Sequence, residues 1–366
     1  MHYLGVDVSM ASLDLANSDG TLSRSFRNSP GGIRELIGRV LREGGIDEVQ
    51  VVLEPTSTYH QRLIVALVSG GVAFTLVNPA SAAYYARSRM RRSKTDPIDA
   101  RMLARMGERE ELTPTPLPDP RREGLRRLLR HRDSLLQEAG SWHNRLGTSE
   151  KAAWDTKVEL ASIRKTEKAL IREASRIDKK LWQMANTHPE LMRQIRLLTS
   201  IKGIATKTAL VIALELPGVE QCRSAKSWAA FAGVAPAIHQ SGKSEYSTLS
   251  RTGSPRIRKA LYMPALVAMK FNPAIKVFIE RLKANGKTGK TVVAAAMHKL
   301  LRICFGVLRT GRPFDPEMNT TAPSSKVDGA VQIQSLQTPD PKILIKSGDE
   351  LTQEGKSIAE AVMIMP

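Results

Sequence analysis

The feature that most limits the fold is a change of apolar spacing part-way along the chain. Up to about residue 112, short alternating runs and helical stripes succeed one another; from Pro120 to Asn186 every run keeps helical spacing. Alternation places every second side chain on one face of a strand, whereas a 3-4 rhythm lines one side of a helix. The two halves must therefore bury their apolar faces in different ways. Tyr3–Val8 alternates, with Leu4, Val6 and Val8 on one face and Asp7 on the other. Leu13 to Phe26 predicts a hairpin turning at Asp19-Gly20. Ser29-Pro30 opens a helix bearing Ile33, Leu36, Ile37, Val40 and Leu41 and stopping at Gly44-Gly45. Strand Val49–Leu53 then runs into Glu54, a helix starts near Tyr59, and Ala73–Val77 is a further strand. A hairpin followed by strand–helix alternation predicts a mixed-sheet α/β domain over residues 1–112.

Residues 118–188 predict a helical middle domain. One helix carries Leu125, Leu128, Leu129, Leu136, Ala139 and Leu146; the next keeps Leu160, Ile163, Glu167, Leu170, Ala174, Ile177, Leu181 and Met184 in strict 3-4 rhythm. That seam suits a coiled coil, as an intrachain hairpin or as a self-association device. Residues 189–316 are again helix-rich, punctuated by Gly203, Pro217-Gly218, Gly233, Pro236, Ser241-Gly242, Gly253, Pro255 and Gly286. Ala260–Phe271 and Val292–Leu308 are expected to form the core there. The tail, 317–366, has no aromatic residue and is expected to be disordered.

Charge narrows the class of partner. The chain of 366 residues holds 55 Lys and Arg against 36 Asp and Glu, a formal +19. The tail is acidic, so the surplus belongs to the body and implies a polyanionic partner. Cys222 and Cys304 are too few for a disulfide framework, and with the histidines scattered no zinc site is expected. The N-terminus lacks the pattern of a secretory leader, and Gly70-Gly71 and Asn78-Pro79 break the uncharged run 63–86 into helix, turn, strand and turn. A cytoplasmic protein with no membrane span is expected.

Four acids stand out. Asp7 interrupts an apolar strand, and Glu54 ends the very apolar Val51-Val52-Leu53. A carboxylate so placed is either solvated on its face or paired, capped or metal-bound. Asp96 and Asp99, in Lys94-Thr95-Asp96-Pro97-Ile98-Asp99-Ala100-Arg101, suit a helix start with Asp96 as N-cap and Pro97 at N1. They also lie one turn apart, where both can face one hard cation such as Mg2+. An RNase H-like sheet would gather all four for phosphoryl transfer. Arg87, Arg89, Arg91, Arg92, Lys94, Arg101 and Arg105 flank them, as a solvated face or as holds for a phosphate backbone.

Further on, Leu198 to Ala209 resembles a helix-hairpin-helix that grips DNA phosphates, with Lys202 and Lys207 at hand and Ala205 where a second glycine is usual. Ser241 lies in a polar, glycine-flanked stretch close to Lys243, Arg251, Arg256, Arg258 and Lys259. A serine nucleophile needs a base or a cationic setting. Tyr262, the other hydroxyl candidate, is expected to pack beside Leu261 and Leu266, since no His-x-x-Arg accompanies it.

LGVDVS, LEPTSTY, KTDPIDARMLA, IKGIATKTA, FAGVAPAIHQSG and RKALYMPALVAM, in that order, resemble the insertion-sequence one-ten family of transposases, also called DEDD transposases or bridge-RNA-guided recombinases. The likeness runs from about residue 3 to Pro316. It implies a RuvC-like N-terminal domain in which Asp7, Glu54, Asp96 and Asp99 hold Mg2+ (or Mn2+), and a C-terminal transposase domain with Ser241 as nucleophile. It further implies a phosphoserine link to DNA, a structured noncoding guide RNA that pairs with donor and target DNA, and a dimer or tetramer. Ser57 departs from the family pattern by replacing a glycine, which is expected to alter the turn beside Glu54. The rival readings are a RuvC-like nuclease or junction resolvase that hydrolyses DNA, and a basic architectural protein whose acids only cap helices. An actin-like ATPase is disfavoured, because no paired Gly-rich phosphate loops occur.

Overall fold

The computed structural model describes residues 1–316 except 89–95, 111, 155–156, 242–243 and 250–252, and describes the backbone alone at 96–97, 237–241 and 244–249. The expected disorder of 317–366 lies outside these residues, as do Arg89, Arg91, Arg92, Lys94, Lys243 and Arg251. Two compact units result, Met1–Leu117 and a second from Pro118 onward.

In the first unit the alternating runs become β1 (His2–Val8), β2 (Ser12–Asn17), β3 (Ser23–Arg27), β4 (Val49–Leu53) and β5 (Ala73–Leu76). They form one sheet in the order β3-β2-β1-β4-β5. The first three strands are antiparallel neighbours, and β4 and β5 run parallel to β1. Parallel pairing needs crossovers, which the helices α1 (Pro30–Glu43) and α2 (Gln61–Ser69) supply. Ser29 caps α1 by accepting from Gly32 N, as its spacing predicts.

Leu4, Val6, Val8, Leu13, Leu15, Val51 and Leu53 point to one face and pack with Ile33, Leu36, Leu63 and Leu67 of those helices. The opposite face is covered by α3 (Pro79–Ser88) and α4 (Asp96–Glu110), through Ala82, Met102, Leu103 and Met106 against Val52. The expected turn at Asn78-Pro79 thus opens a helix: Asn78 Oδ1 accepts from Ala80 N, and proline is well suited to a first turn. Beyond α4 the chain lies along β5. Thr115 N donates to Phe74 O, Leu76 N to Thr115 Oγ1, and Thr75 Oγ1 to Thr113 O, so this sheet edge is covered.

The second unit opens with α5 (Pro120–Ser149) and α6 (Lys157–Asn186), thirty residues each, packed as an antiparallel hairpin. Arg132 pairs with Asp178, His143 with Glu167 and Arg164 with Glu150, so partners climb one helix as they descend the other. Leu160, Ile163, Ala174, Ile177 and Leu181 of the predicted seam are buried. There follow α7 (Pro189–Thr199), α8 (Thr206–Glu215), α9 (Ala225–Phe231), the strands β6 (Pro236–Ser241) and β7 (Ser244–Leu249), α10 (Pro255–Phe271), α11 (Pro273–Ala284) and α12 (Gly289–Thr310). The helical reading of this region missed the β6–β7 hairpin, whose residues lack a clean apolar alternation.

One core joins the hairpin to the later helices: Leu125, Leu129, Leu181 and Ala185 lie with Leu198, Leu210, Trp228, Leu261 and Leu300. Helix α12 is long and apolar enough to cross a membrane, but Met297, Leu300, Leu301, Cys304 and Phe305 are spent on this core.

Candidate active site

Gly5 decides how α4 meets the sheet. A Cβ there would stand 1.8 Å from Ala100 O and 2.7 Å from Ala104 N, so helix backbone lies directly on strand backbone. Gly107 makes the matching approach over Tyr3. Tyr3, Gly5 and Asp7 share this face. Two strand residues from Gly5 to Asp7 span about 6.6 Å, a little more than one helical turn of about 5.4 Å. The first turn of α4, which holds positions 96 and 99, therefore comes level with Asp7.

Glu54 reaches the same end of the sheet. Val6 pairs with Leu53 in the parallel β1–β4 register, so the next residues, Asp7 and Glu54, leave adjacent strands at the same level. Behind them, Asn28 Nδ2 donates to Ser9 O at 2.8 Å and Tyr59 O at 3.2 Å, tying together the loops that follow β1 and β4. Ser57, in the second of these loops, has φ +48°. Ser57 thus holds a left-handed conformation that suits glycine better than serine, at some cost in strain.

A further carboxylate went unnoticed in the sequence. Asp14 of β2 is the register partner of Asp7, on the same face, and is 8% exposed. It accepts from Ser12 Oγ at 3.1 Å. Counting back from the Asp19-Gly20 turn does not reveal it, because the pairing follows from the β1–β2 connection instead.

Oxygen-only donors of this kind fit a hard divalent cation. Among the described residues, however, no group of three or more His, Cys, Asp or Glu side chains stands close enough to hold a metal, and the Asp96 side chain lies outside that set.

The flanking cations divide by role. Arg87 is exposed at the end of α3. Arg101 donates to the carbonyls of Ser18 and Asp19, and Arg105 to Ser18 O at 2.7 Å, so both hold the β2–β3 turn against α4.

In the second unit, Ser241 ends β6 at the tip of the hairpin, opposite Ser244. Arg258 braces its base by donating to Gly233 O and Gly253 O. Gly253, at φ +107°, lies so close to Gly233 that a Cβ would meet its nitrogen at 2.5 Å. Lys202 and Lys207 are exposed around the turn between α7 and α8. There Gly203, at φ +109°, packs against Pro264 and Ala268 of α10. Ala205 is extended (φ −87°, ψ 163°), so the missing second glycine costs the turn nothing. Asn272, fully buried, donates to Lys202 O and fixes the turn from the other side. Tyr262 does not pack as expected: it is 48% exposed, because Leu261, Ala265 and Ala268 take the buried stripe of α10. The two cysteines are free, and burial pushes the Cys304 thiol up to about 12.

Comparison with known proteins adds an independent finding. A DEDD transposase model, described as Transposase, matches residues 4–149, and one described as Transposase IS116/IS110/IS902 family matches 195–280. The pilin gene-inverting proteins of Moraxella bovis and Moraxella lacunata are each 30% identical to this chain, over 87% of it and 98% of their own length. This chain belongs to the IS110 family of transposases. A third relative, the insertion element IS110 uncharacterized 43.6 kDa protein of Streptomyces coelicolor, is 27% identical over 33% of this chain and 30% of that protein. The transposase is thus an enzyme of DNA recombination. Its sheet order and acid-bearing strand ends are consistent with a RuvC-like N-terminal domain, and a DEDD domain implies metal-dependent catalysis.

Proposed function

We propose that this IS110-family transposase cuts and rejoins DNA at a site where Asp7, Glu54, Asp96 and Asp99 hold Mg2+ or Mn2+. The observation that carries this reading is the shared level of Asp7, Glu54 and the first turn of α4 at one end of the sheet. A bound divalent ion would supply Lewis acidity and charge neutralisation at a phosphate. The chain's own part is to hold carboxylates at the strand ends and to brace the loops behind them through Asn28. The relatives named for pilin-gene inversion make rearrangement of DNA, rather than simple degradation, the natural outcome.

The acid site by itself serves hydrolysis as well as strand transfer, and it supports a RuvC-like nuclease or resolvase directly. The transfer reading adds Ser241. Its Oγ would form a bond to phosphorus while one deoxyribose oxygen leaves as an alcohol; attack by another strand's hydroxyl then reverses the step and frees the serine. The bond energy stays in the ester, so rejoining needs no nucleotide. Arg258, bracing the hairpin base, positions this serine. Lys243 and Arg251 belong to the same cationic stretch, and Arg87, Arg89, Arg91, Arg92, Lys94, Arg101, Lys202, Lys207 and Arg256 are the proposed contacts to nucleic acid. The α7–α8 turn takes the helix-hairpin-helix role, the α5–α6 hairpin a coiled-coil role, and assembly as a dimer or tetramer with a structured guide RNA completes the proposal.

The test is to incubate the full chain with labelled DNA and the structured RNA transcribed beside its gene, then denature in SDS. An SDS-resistant adduct that vanishes in Ser241→Ala is expected, with cleavage lost in Asp7→Asn. Cleavage without an adduct, unaffected by Ser241→Ala, would leave the hydrolytic reading in place. Unchanged cleavage in both Asp7→Asn and Asp99→Asn would remove the acid site altogether.

A further inference from the structure

A groove runs along α5 in the second unit, and Lys207 and Arg256, two of the proposed nucleic-acid contacts, lie on its wall. Two adjoining cavities of about 620 and 580 Å³ share Leu136, Gln137 and Lys259. Position 132 to position 144 of α5, the stretch they cover, spans about 18 Å of helix. A nucleic-acid duplex carries a phosphate every 3.4 Å or so per strand, so several consecutive phosphates match that length.

Cations outnumber acids on the wall, and its two carboxylates, Asp133 and Glu167, are paired with Arg132 and His143. Lys207, Arg256 and Lys259 line the larger cavity, and among the described residues none of them enters an ion pair. Arg132, on the same wall, is already held by Asp133 and Asp178. The first turns of two helices also open here, α8 at Lys207-Thr208 and α10 at Pro255-Arg256. Among the described residues no side chain caps α8, and the Ser254 hydroxyl accepts from Ile257 N at the start of α10. Helix starts of this kind add partial positive charge to that of the side chains.

We infer that this groove seats the phosphodiester backbone of a nucleic acid, with Lys207, Arg256 and Lys259 on its phosphates. The inference rests on the reading of the protein as a DNA recombinase and adds a path for the polyanion along the helical hairpin. Lys259 is the centre of that path, since it lines both cavities.

The experiment measures binding of the full chain to a short random-sequence DNA duplex and to a single-stranded RNA of equal length across a KCl series. Replacing Lys207, Arg256 and Lys259 together by Gln is expected to lower the slope of log K against log salt. The expected loss is about 0.9 per contact for duplex and about 0.7 for a single strand. The arm whose loss, divided by its own per-contact value, gives the larger number of contacts identifies the backbone that occupies the groove. A control variant with Lys276, Lys283 and Lys287, exposed on α11 and just beyond, changed to Gln should keep the slope of the unmodified chain. An unchanged slope in the groove variant, or an equal loss in the control, overturns the inference while leaving the recombinase reading intact. Failure of the unmodified chain to bind either probe instead overturns that reading.

Lysine acetylation footprinting on the unmodified chain is independent of how the variant folds. Lys207 and Lys259 should be protected by the probe and Lys276 should not. Protection that rises with protein concentration alone would assign the groove to a second copy and end the proposal.

Discussion

Replacing Gly5 by alanine would drive a methyl group into the carbonyl of Ala100. Neither partner is a flexible side-chain end, so α4 must lift from β1. The expected loss exceeds the roughly 1–3 kcal/mol of ordinary overpacking, read as a fall in the denaturant midpoint of the first unit. Activity should fall with it, because the same contact brings the first turn of α4 level with Asp7. A second prediction concerns His298 in α12. Burial, then Arg302 and Lys299, holds its imidazolium below the ordinary value. The folded chain keeps this ring neutral while the unfolded chain takes up a proton, so the stability it contributes is complete above about pH 6.5 and is lost as pH falls below it. His298→Gln should therefore flatten part of the decline in Tm between about pH 7.5 and 5.5, and an identical decline in both proteins would refute the assignment. At this scale the sequence was legible for Asp7, Glu54 and Asp99, whose polarity stands out against apolar runs. Asp14 was not, since only pairing between strands reveals that it faces Asp7.

Among the elements, the α5–α6 hairpin contains its own check. Arg132 falls on the buried side of α5 between Leu129 and Ala139, where apolar spacing alone would place a hydrophobic residue; Leu136, expected on that side, is instead exposed. Its guanidinium spans Asp133 and Asp178, which joins the two helices. Asp178→Ala leaves this nearly buried cation with one partner, and a cost of about 1–2 kcal/mol is expected. Hydrogen exchange should quicken for amides of both helices around that pair and stay unchanged in α12. The second of these helices was readable because seven of its eight seam positions are apolar. The β6–β7 hairpin was not, for its ladder is formed by polar residues such as Gln240, Glu245 and Ser247. Helix α3 was hidden as well, because Asn78-Pro79 signals a turn and a helix start equally well.

For the whole molecule, each unit closes an apolar core of its own, around Leu36, Val51 and Phe74 in the first and Leu198, Leu210 and Leu300 in the second. Residues 1–117 and 118–316 produced as separate chains should each unfold cooperatively, as followed by circular dichroism; a molten first fragment would contradict the division. The sequence by itself determined the order of strands and helices, which residues share a face within each element, the cationic surplus and the family. Those properties depend on neighbours a few positions apart, and periodicity or composition records them. Only the tertiary structure decided which face lies against which: α4 on Gly5, Asp14 opposite Asp7, and Lys207 and Lys259 around one groove. Such juxtapositions arise from close packing between segments far apart in the chain, where one missing Cβ sets the approach, and local spacing has no access to them.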